Sequence, residues 1–321
     1  MSEANYLSGW KYRAVIFSVM LSALGYLLFS LWGGWQAVNA AIKEVGAVGI
    51  TIALLMSSLN YGLRFLRWQG YLKALEYPIA WQPSLRIYLS GFALTTTPGK
   101  AGEALRGVLL KPWGVPYSKS FAAFFSERLS DLIAVVLLTL FGLTQYPAAQ
   151  SMVLLATLLA LIGLLAFSQR RVIEGSLKLV DKRNHKLFEL VRHLLQVLLE
   201  AQICHRIPLL LSATLLSIIA WSSEALAFYW ILSWMGAEIT PTFAVFVYAL
   251  AMLAGALSFM PGGLGGAEAV MVSLLVWKTM PTADAIAATV LIRVATLWFA
   301  VGIGAIALSQ NKVSNNPTTK H

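Results

Sequence analysis

Charge is what this 321-residue chain has least of: Asp, Glu, Lys and Arg together make up 12% of it, against about 25% in an average soluble domain. With 58% apolar residues and a mean hydropathy of +0.72, and with apolar runs recurring from Ala14 to Leu308, a soluble globular protein is excluded. So is a soluble domain on one membrane anchor. Cysteine is nearly absent. Cys204 alone excludes an intrachain disulfide, and with His205 and Arg206 it makes no metal site. Histidine is almost as scarce: His185, His193 and His205 share one polar segment and His321 ends the chain, so no imidazole stands at membrane depth. HExxH, GxSxG, P-loop and paired-cysteine patterns are missing. The expectation is a protein that is not an enzyme, with no catalytic residues, no metal and no cofactor. Acidic residues number 14 against 24 basic ones, a formal charge of +10. In a membrane chain this excess reads as Lys and Arg retained on the cytoplasmic side rather than as a nucleic-acid surface.

What is there is a series of apolar segments. Lys11 and Arg13 precede a 19-residue run from Ala14 to Trp32. It exceeds the ~7–15 residues of a signal-peptide core and lacks an A-x-A site, so it reads as a transmembrane helix. Full-length segments at 14–32, 46–66, 120–143, 149–168, 208–232 and 281–308 predict six crossings of a ~30 Å hydrocarbon core. Two further segments, 84–97 and 242–260, run into Thr97-Pro98-Gly99 and Met260-Pro261-Gly262-Gly263. Each is followed by a short helical stretch, 101–111 and 264–278, and then a proline. Such breaks at membrane depth are tolerated where protein or a wet cavity satisfies the freed backbone, and both read as re-entrant hairpins. Their turns are Pro98, Gly99 and Gly102, and Pro261, Gly262, Gly263, Gly265 and Gly266.

The expected fold is therefore an all-α polytopic membrane protein, one transmembrane domain over 1–310 with a disordered cytoplasmic tail at 311–321. Lys11, Arg13, Arg64, Arg67, Lys73, Arg86, Lys111, Lys119, the eight Lys and Arg from Arg170 to Arg206, Lys312 and Lys320 fall on one side of this arrangement, and Lys43 and Lys278 on the other. The positive-inside rule then places both termini in the cytoplasm of a bacterial inner membrane. The segment 170–206 is amphipathic, with Leu187, Leu190, Val191, Leu194, Leu195 and Leu198 at helical spacing. Either it lies on the inner leaflet or its apolar face packs on the bundle.

The sequence repeats itself. Ser57-Ser58, Glu103, Pro116, Ala122-Ala123 and Arg128 recur 165 positions later as Ser222-Ser223, Glu268, Pro281, Ala287-Ala288 and Arg293. Each half, about 46–143 and 208–308, reads as a helix, a broken hairpin with a Glu after its Pro-Gly turn, and a helix carrying Arg 25 residues beyond that Glu. Hairpins entering from opposite sides make this an inverted-topology repeat, the pattern of transporters whose substrate sits at the midplane. The halves differ where Lys100, Arg106, Glu127 and Asp131 become Gly265, Met271, Ile292 and Thr296. The first half is thus the more polar, and its Lys100 and Arg106 are candidate headgroup contacts.

Each of Glu103, Arg128, Glu268 and Arg293 would cost about 2.5–3.5 kcal/mol at the centre of an isolated membrane helix, so they must face one another or water. Two readings stand: Glu–Arg pairs that lock each hairpin to its neighbouring helix, or two arginines clamping a phosphate. Glu224, opposite Leu59 at the same offset, is an intramembrane acid. It reads as a proton carrier or as a carboxyl hydrogen-bonded to Ser222, Ser223 or a neighbouring helix; Glu127 and Asp131 are further candidates for proton or ion coupling.

Pro98-Gly99-Lys100-Ala101-Gly102-Glu103 with Glu127-Arg128-Leu129-Ser130-Asp131, and Pro261-Gly262-Gly263-Leu264-Gly265-Gly266-Ala267-Glu268 with Arg293, resemble the lysylphosphatidylglycerol synthase transmembrane region family. This flippase-like family includes the membrane part of the multiple peptide resistance factor. The resemblance spans about residues 10 to 310 and implies a lipid-translocating unit. Lipid aminoacylation is not implied, because the chain stops after its last helix. The expected function is a lipid flippase or scramblase whose partner is an anionic phospholipid or a polyprenyl-phosphate-linked lipid. A proton- or ion-coupled carrier of a small anion, and a lipid-presenting partner of a membrane glycosyltransferase or another lipid-modifying enzyme, are the alternatives.

Overall fold

The computed structural model describes residues 34–97, 101–143, 169–180, 186–258 and 261–310, with Gly25, Ser151 and Leu158. Among them every regular element is a helix. The expected crossings at 14–32 and 149–168, the turn residues Pro98, Gly99 and Lys100, and the tail at 311–321 lie outside the described residues, as does the side chain of Glu103.

Eleven helices carry the description: α1 (Trp35–Ala74), α2 (Trp81–Ser90, continued by a 3-10 turn Gly91–Leu94), α3 (Ala101–Leu110), α4 (Tyr117–Leu143), α5 (Arg170–Val180), α6 (Lys186–Ala201), α7 (Ile207–Trp234), α8 (Pro241–Leu257), α9 (Gly266–Trp277), α10 (Thr282–Arg293) and α11 (Phe299–Gln310). A π turn, Val294–Trp298, joins the last two. Among the described residues, three stretches are long and apolar enough to cross a membrane: Trp35–Ala74, Ile207–Trp234 and Thr282–Gln310. Helix α4 has the length, 27 residues, but carries Glu127, Arg128 and Asp131 through its middle. The 3-10 turn after α2 ends at Leu94 and α3 starts at Ala101, while α8 ends at Leu257 and α9 starts at Gly266, so the helices part on either side of the stretches where the sequence predicts breaks.

Gly46, at φ 64° and ψ 175°, splits α1 into a short piece, 35–45, and a long one, 47–74. The long piece and α7 (207–234) are the same length, 160 residues apart, and end alike. Leu75, Glu76 and Tyr77 donate to Tyr71, Lys73 and Leu72 as Met235, Gly236 and Ala237 do to Ile231, Ser233 and Leu232. The left-handed residue that closes this turn is Glu76 (φ 71°) in one half and Gly236 (φ 74°) in the other. The Trp68–Tyr88 and Phe228–Tyr248 ring pairs keep the same spacing in sequence, each with centroids 5.9 Å apart and planes at 46° and 47°.

Beyond the hairpins the interval becomes 165. Gly114 and Thr279, both left-handed, donate to Lys111 and Val276, while Ser120 and Ala285 donate to Pro116 and Pro281. The halves therefore differ by five residues at the hairpin tip. A single interval of 165 fails before that tip: Ser57 corresponds to Ser217, not Ser222, and the counterpart of Glu224 is Arg64, not Leu59.

The two long helices run antiparallel. Ser223 donates to the Met56 carbonyl and Asn60 to the Ala220 carbonyl, with Gly49 beside Trp234 at one end and Gly70 beside Leu209 at the other. Each half lends its hairpin to the other half's last helix. A methyl group on Gly142 would stand 2.4 Å from Phe246 Cβ, and one on Gly304 2.2 Å from the Ala93 nitrogen, so only glycine permits these crossings. The short pieces that precede the long helices are also equivalent. Ala41 packs with Ala287 and Ile286, and Ala201 and Cys204 with Ala122 and Ala123. The amphipathic segment ending at 206 thus has a counterpart at 35–45, which its shortness hides in the sequence.

Candidate functional site

Helical geometry sets Asn60, Arg64, Arg67 and Tyr71 on one stripe of α1, and Glu127 and Asp131 one turn apart on α4. The two stripes face each other. Arg67 Nη1 lies 2.6 Å from Asp131 Oδ1 and its Nη2 3.7 Å from Glu127 Oε1; Arg64 and Arg128 approach Asp131 Oδ2 at 3.4 and 3.6 Å. From α3, Arg106 donates to Glu127 Oε2 at 2.9 Å, its guanidinium stacked over Trp68 and Tyr88. Helix α7 adds Trp221, whose indole nitrogen donates to Asp131 Oδ1 at 3.1 Å, and Ser217, which accepts from Arg67.

Four guanidinium groups thus meet two carboxylates. Arg67 and Glu127 are fully enclosed, whereas the side chains of Arg64 and Arg128 retain 12% and 31% exposure. Arg64 Nε, Arg67 Nε and Arg67 Nη2 are buried without a hydrogen-bond acceptor among the described residues. Arg64 and Arg67, counted in the sequence among the cations of the cytoplasmic side, belong to this interior cluster. Their signal in the sequence was the i, i+4, i+7, i+11 spacing from Asn60 to Tyr71.

The second half holds one ion pair where the first holds a network. Arg293 Nε is 2.6 Å from Glu268 Oε1, and Arg293 Nη2 donates to the Gly262 carbonyl at 3.0 Å. The other carboxylate oxygen of Glu268 accepts from Gly265 N at 2.7 Å, closing the left-handed turn that starts α9. Arginine and glutamate together tie the Pro261–Gly266 tip to α10. The corresponding Arg128 meets Asp131, which has no acidic counterpart because Thr296 stands there. The tips come together: a methyl group on Gly262 would lie 3.4 Å from Thr96 Cγ2.

Glu224 is buried, and Tyr248 Oη donates to its Oε2 at 2.6 Å. Ser223 points elsewhere, to the Met56 and Ala220 carbonyls. Tyr248, on α8, was absent from the sequence-derived set; nothing local in the sequence joins it to a residue 24 positions back. Across the halves, Tyr61 Oη donates to the Thr296 carbonyl at 2.5 Å.

Outside the spanning helices, Lys119 pairs with Glu200 and fastens α6 to α4. Burial pushes the Cys204 thiol up to about 11 and holds the imidazole of His205 down to about 4. Cys204 is therefore an unreactive packing residue. His205, within 3.2 Å of Ser126 Oγ, is neutral at pH 7.

Among known proteins, the chain is similar over 94% of its length to a UPF0104 membrane protein of Pyrococcus horikoshii, at 25% identity and covering 97% of that protein. A UPF0104 membrane protein of Methanothermobacter thermautotrophicus is 24% identical, with 94% and 96% of the two chains covered. A third, from Methanocaldococcus jannaschii, is 25% identical over 67% of this chain and 92% of its own. The model of the lysylphosphatidylglycerol synthase TM region matches residues 15–304. This multi-pass membrane protein belongs to the lysylphosphatidylglycerol synthase transmembrane region family.

Proposed function

We propose that the protein moves an anionic lipid, a phospholipid or a polyprenyl-phosphate lipid, across the cytoplasmic membrane without altering it chemically. The observation that carries this reading is the cluster at which α3 meets the two long helices α1 and α4, where four arginines gather around Glu127 and Asp131. Arg64 and Arg128 keep part of their side chains exposed at this cluster, where they can take an anion from outside it, and guanidinium matches phosphate oxygens in geometry and charge. Arg64 and Arg128, the least enclosed of the four, face the phosphate. Arg67 and Arg106 are held by Asp131 and Glu127, and Arg293, with Glu268, positions the second hairpin tip.

The antiparallel pairing of equivalent helices supports the rest of the reading. The two hairpins re-enter from opposite faces, the halves form an inverted-topology repeat, and rocking of one half against the other carries the headgroup past the tips while the apolar tail stays in the bilayer.

Leaflet exchange in sealed proteoliposomes tests this, using head-labelled phospholipid and polyprenyl-phosphate lipids with a membrane-impermeant quencher. Wild type should exchange an anionic lipid, and Arg64→Gln or Arg128→Gln should lose exchange while remaining folded. Full exchange in both variants would remove the arginines from the path. Folded wild type that exchanges no lipid but takes up a small soluble anion would replace the lipid with that anion.

A further inference from the structure

The described intramembrane carboxylates fall into two kinds. Glu127, Asp131 and Glu268 each have an arginine within 4 Å. Glu224 has none; the phenol of Tyr248 is its hydrogen-bond donor among the described residues. A carboxylate held by guanidinium stays ionised, because giving it a proton strands a buried cation. A buried carboxylate held by one neutral phenol gains from taking a proton, and loses little by it, since the neutral acid still accepts from Tyr248.

Its place in the repeat is equally specific. Asn60 and Ala220 touch at the middle of the two long helices. Arg64 and Glu224 are equivalent positions one turn beyond, so in antiparallel helices they stand about 6 Å to either side of that centre. Besides Tyr248 of α8, which touches it, Glu224 lies within the electrostatic reach of Arg64 and Tyr61 from α1, Asp131 from α4 and Arg293 from α10. When ionised, Glu224 competes with an incoming phosphate for the field of Arg64. When protonated, it leaves that field to the phosphate.

Resting on the transport reading above, we propose that Glu224 is the proton-carrying residue of this protein: a proton taken from water on one side rides on its carboxyl together with one anionic lipid headgroup, and both are released on the other side. No covalent bond of the lipid changes. One proton with one negative charge makes the step electroneutral, so the membrane potential does no work on it.

The test uses full-length protein in sealed vesicles containing the anionic lipid that wild type exchanges. A gradient of one pH unit is imposed, with and without a membrane potential, and internal pH is followed with a trapped dye. The expected result is net movement of lipid toward the alkaline side, up to about tenfold in leaflet ratio for one proton per lipid, with matching proton flux and little effect of potential. Glu224→Gln, which keeps the Tyr248 bond, should lose the response to the gradient. In infrared difference spectra, wild type should show a protonated-carboxyl carbonyl band that Glu224→Gln lacks, a signature that a purely structural glutamate would not give.

Wild-type exchange that ignores the gradient, or a Glu224→Gln variant that still follows it, overturns the proton role and leaves lipid transport standing. Folded wild type that exchanges no lipid overturns both.

Discussion

Asn60, buried at the middle of the long part of α1, donates its side-chain amide at 2.9 Å to the carbonyl of Ala220, its own counterpart 160 residues later. Two positions that match across the 160-residue interval are thus in direct contact. The reciprocal pair agrees: Tyr61 reaches the Thr296 carbonyl of the second half, and its counterpart Trp221 reaches Asp131 of the first, the residue equivalent to Thr296. The charged cluster is built from residues of the first half, with Trp221 and Ser217 of α7 at its edge.

The cluster should behave as a unit. Asp131→Leu leaves Arg67 enclosed without its closest carboxylate and should cost about 3–5 kcal/mol, and Arg67→Met, which leaves Asp131 with Arg64 and Arg128 and Glu127 with Arg106, should cost less. The double variant should cost clearly less than the sum, because no buried charge of that pair is stranded. Unfolding in detergent for the four proteins measures this, and additivity would show that the pair is not coupled.

Glu76 occupies the left-handed position that its counterpart fills with Gly236. Its side chain is exposed, so Glu76→Gly removes the unfavourable conformation without opening a cavity. The variant should gain about 1 kcal/mol in unfolding free energy, and Gly236→Glu should lose a similar amount. An unchanged midpoint for both would mean that the turn tolerates either residue equally.

The crossing of α11 over the first hairpin depends on Gly304. Alanine there meets backbone rather than a flexible side chain, so Gly304→Ala should destabilise by about 1–3 kcal/mol. Gly302→Ala, where nothing stands within 4 Å of the added methyl group, is the control. Equal melting temperatures for the two would contradict the close approach.

Burial keeps His205 neutral, with a pKa of about 4 against an ordinary 6.5. Below pH 6.5 the unfolded chain takes up a proton that the folded protein refuses. Stability should therefore fall as pH drops from about 6.5 toward 4, and flatten below it. His205→Gln should lose that part of the pH dependence in a series of melting curves; an unchanged slope would place the effect on other groups.

Much of this was legible in the chain. Apolar segments of spanning length, two Pro-Gly breaks and the duplicated Glu and Arg are local or fixed-interval patterns, and α2, α3, α8 and α9 begin and end within a few residues of the predicted breaks. The Glu268–Arg293 pair was one of two readings, and the structure forms it. The Ser57–Ser222 match was a coincidence of composition, since five extra residues at one hairpin tip shift the interval from 160 to 165, and only the paired turns reveal where.

By itself the sequence determined the solvent of this protein and the class of its elements, because hydropathy and helical period are sums over neighbouring residues. It also determined that two similar halves exist. Tertiary structure decided which charges meet. Arg64 and Arg67 read as cations of the cytoplasmic side until α1 is seen to continue through them to Ala74, where Asp131 and Glu127 of α4 are the acids within reach. Glu224 reads as one acid among several until α8 offers it a phenol and no cation. Partner choice inside a membrane follows from helix packing over distances that no local pattern encodes.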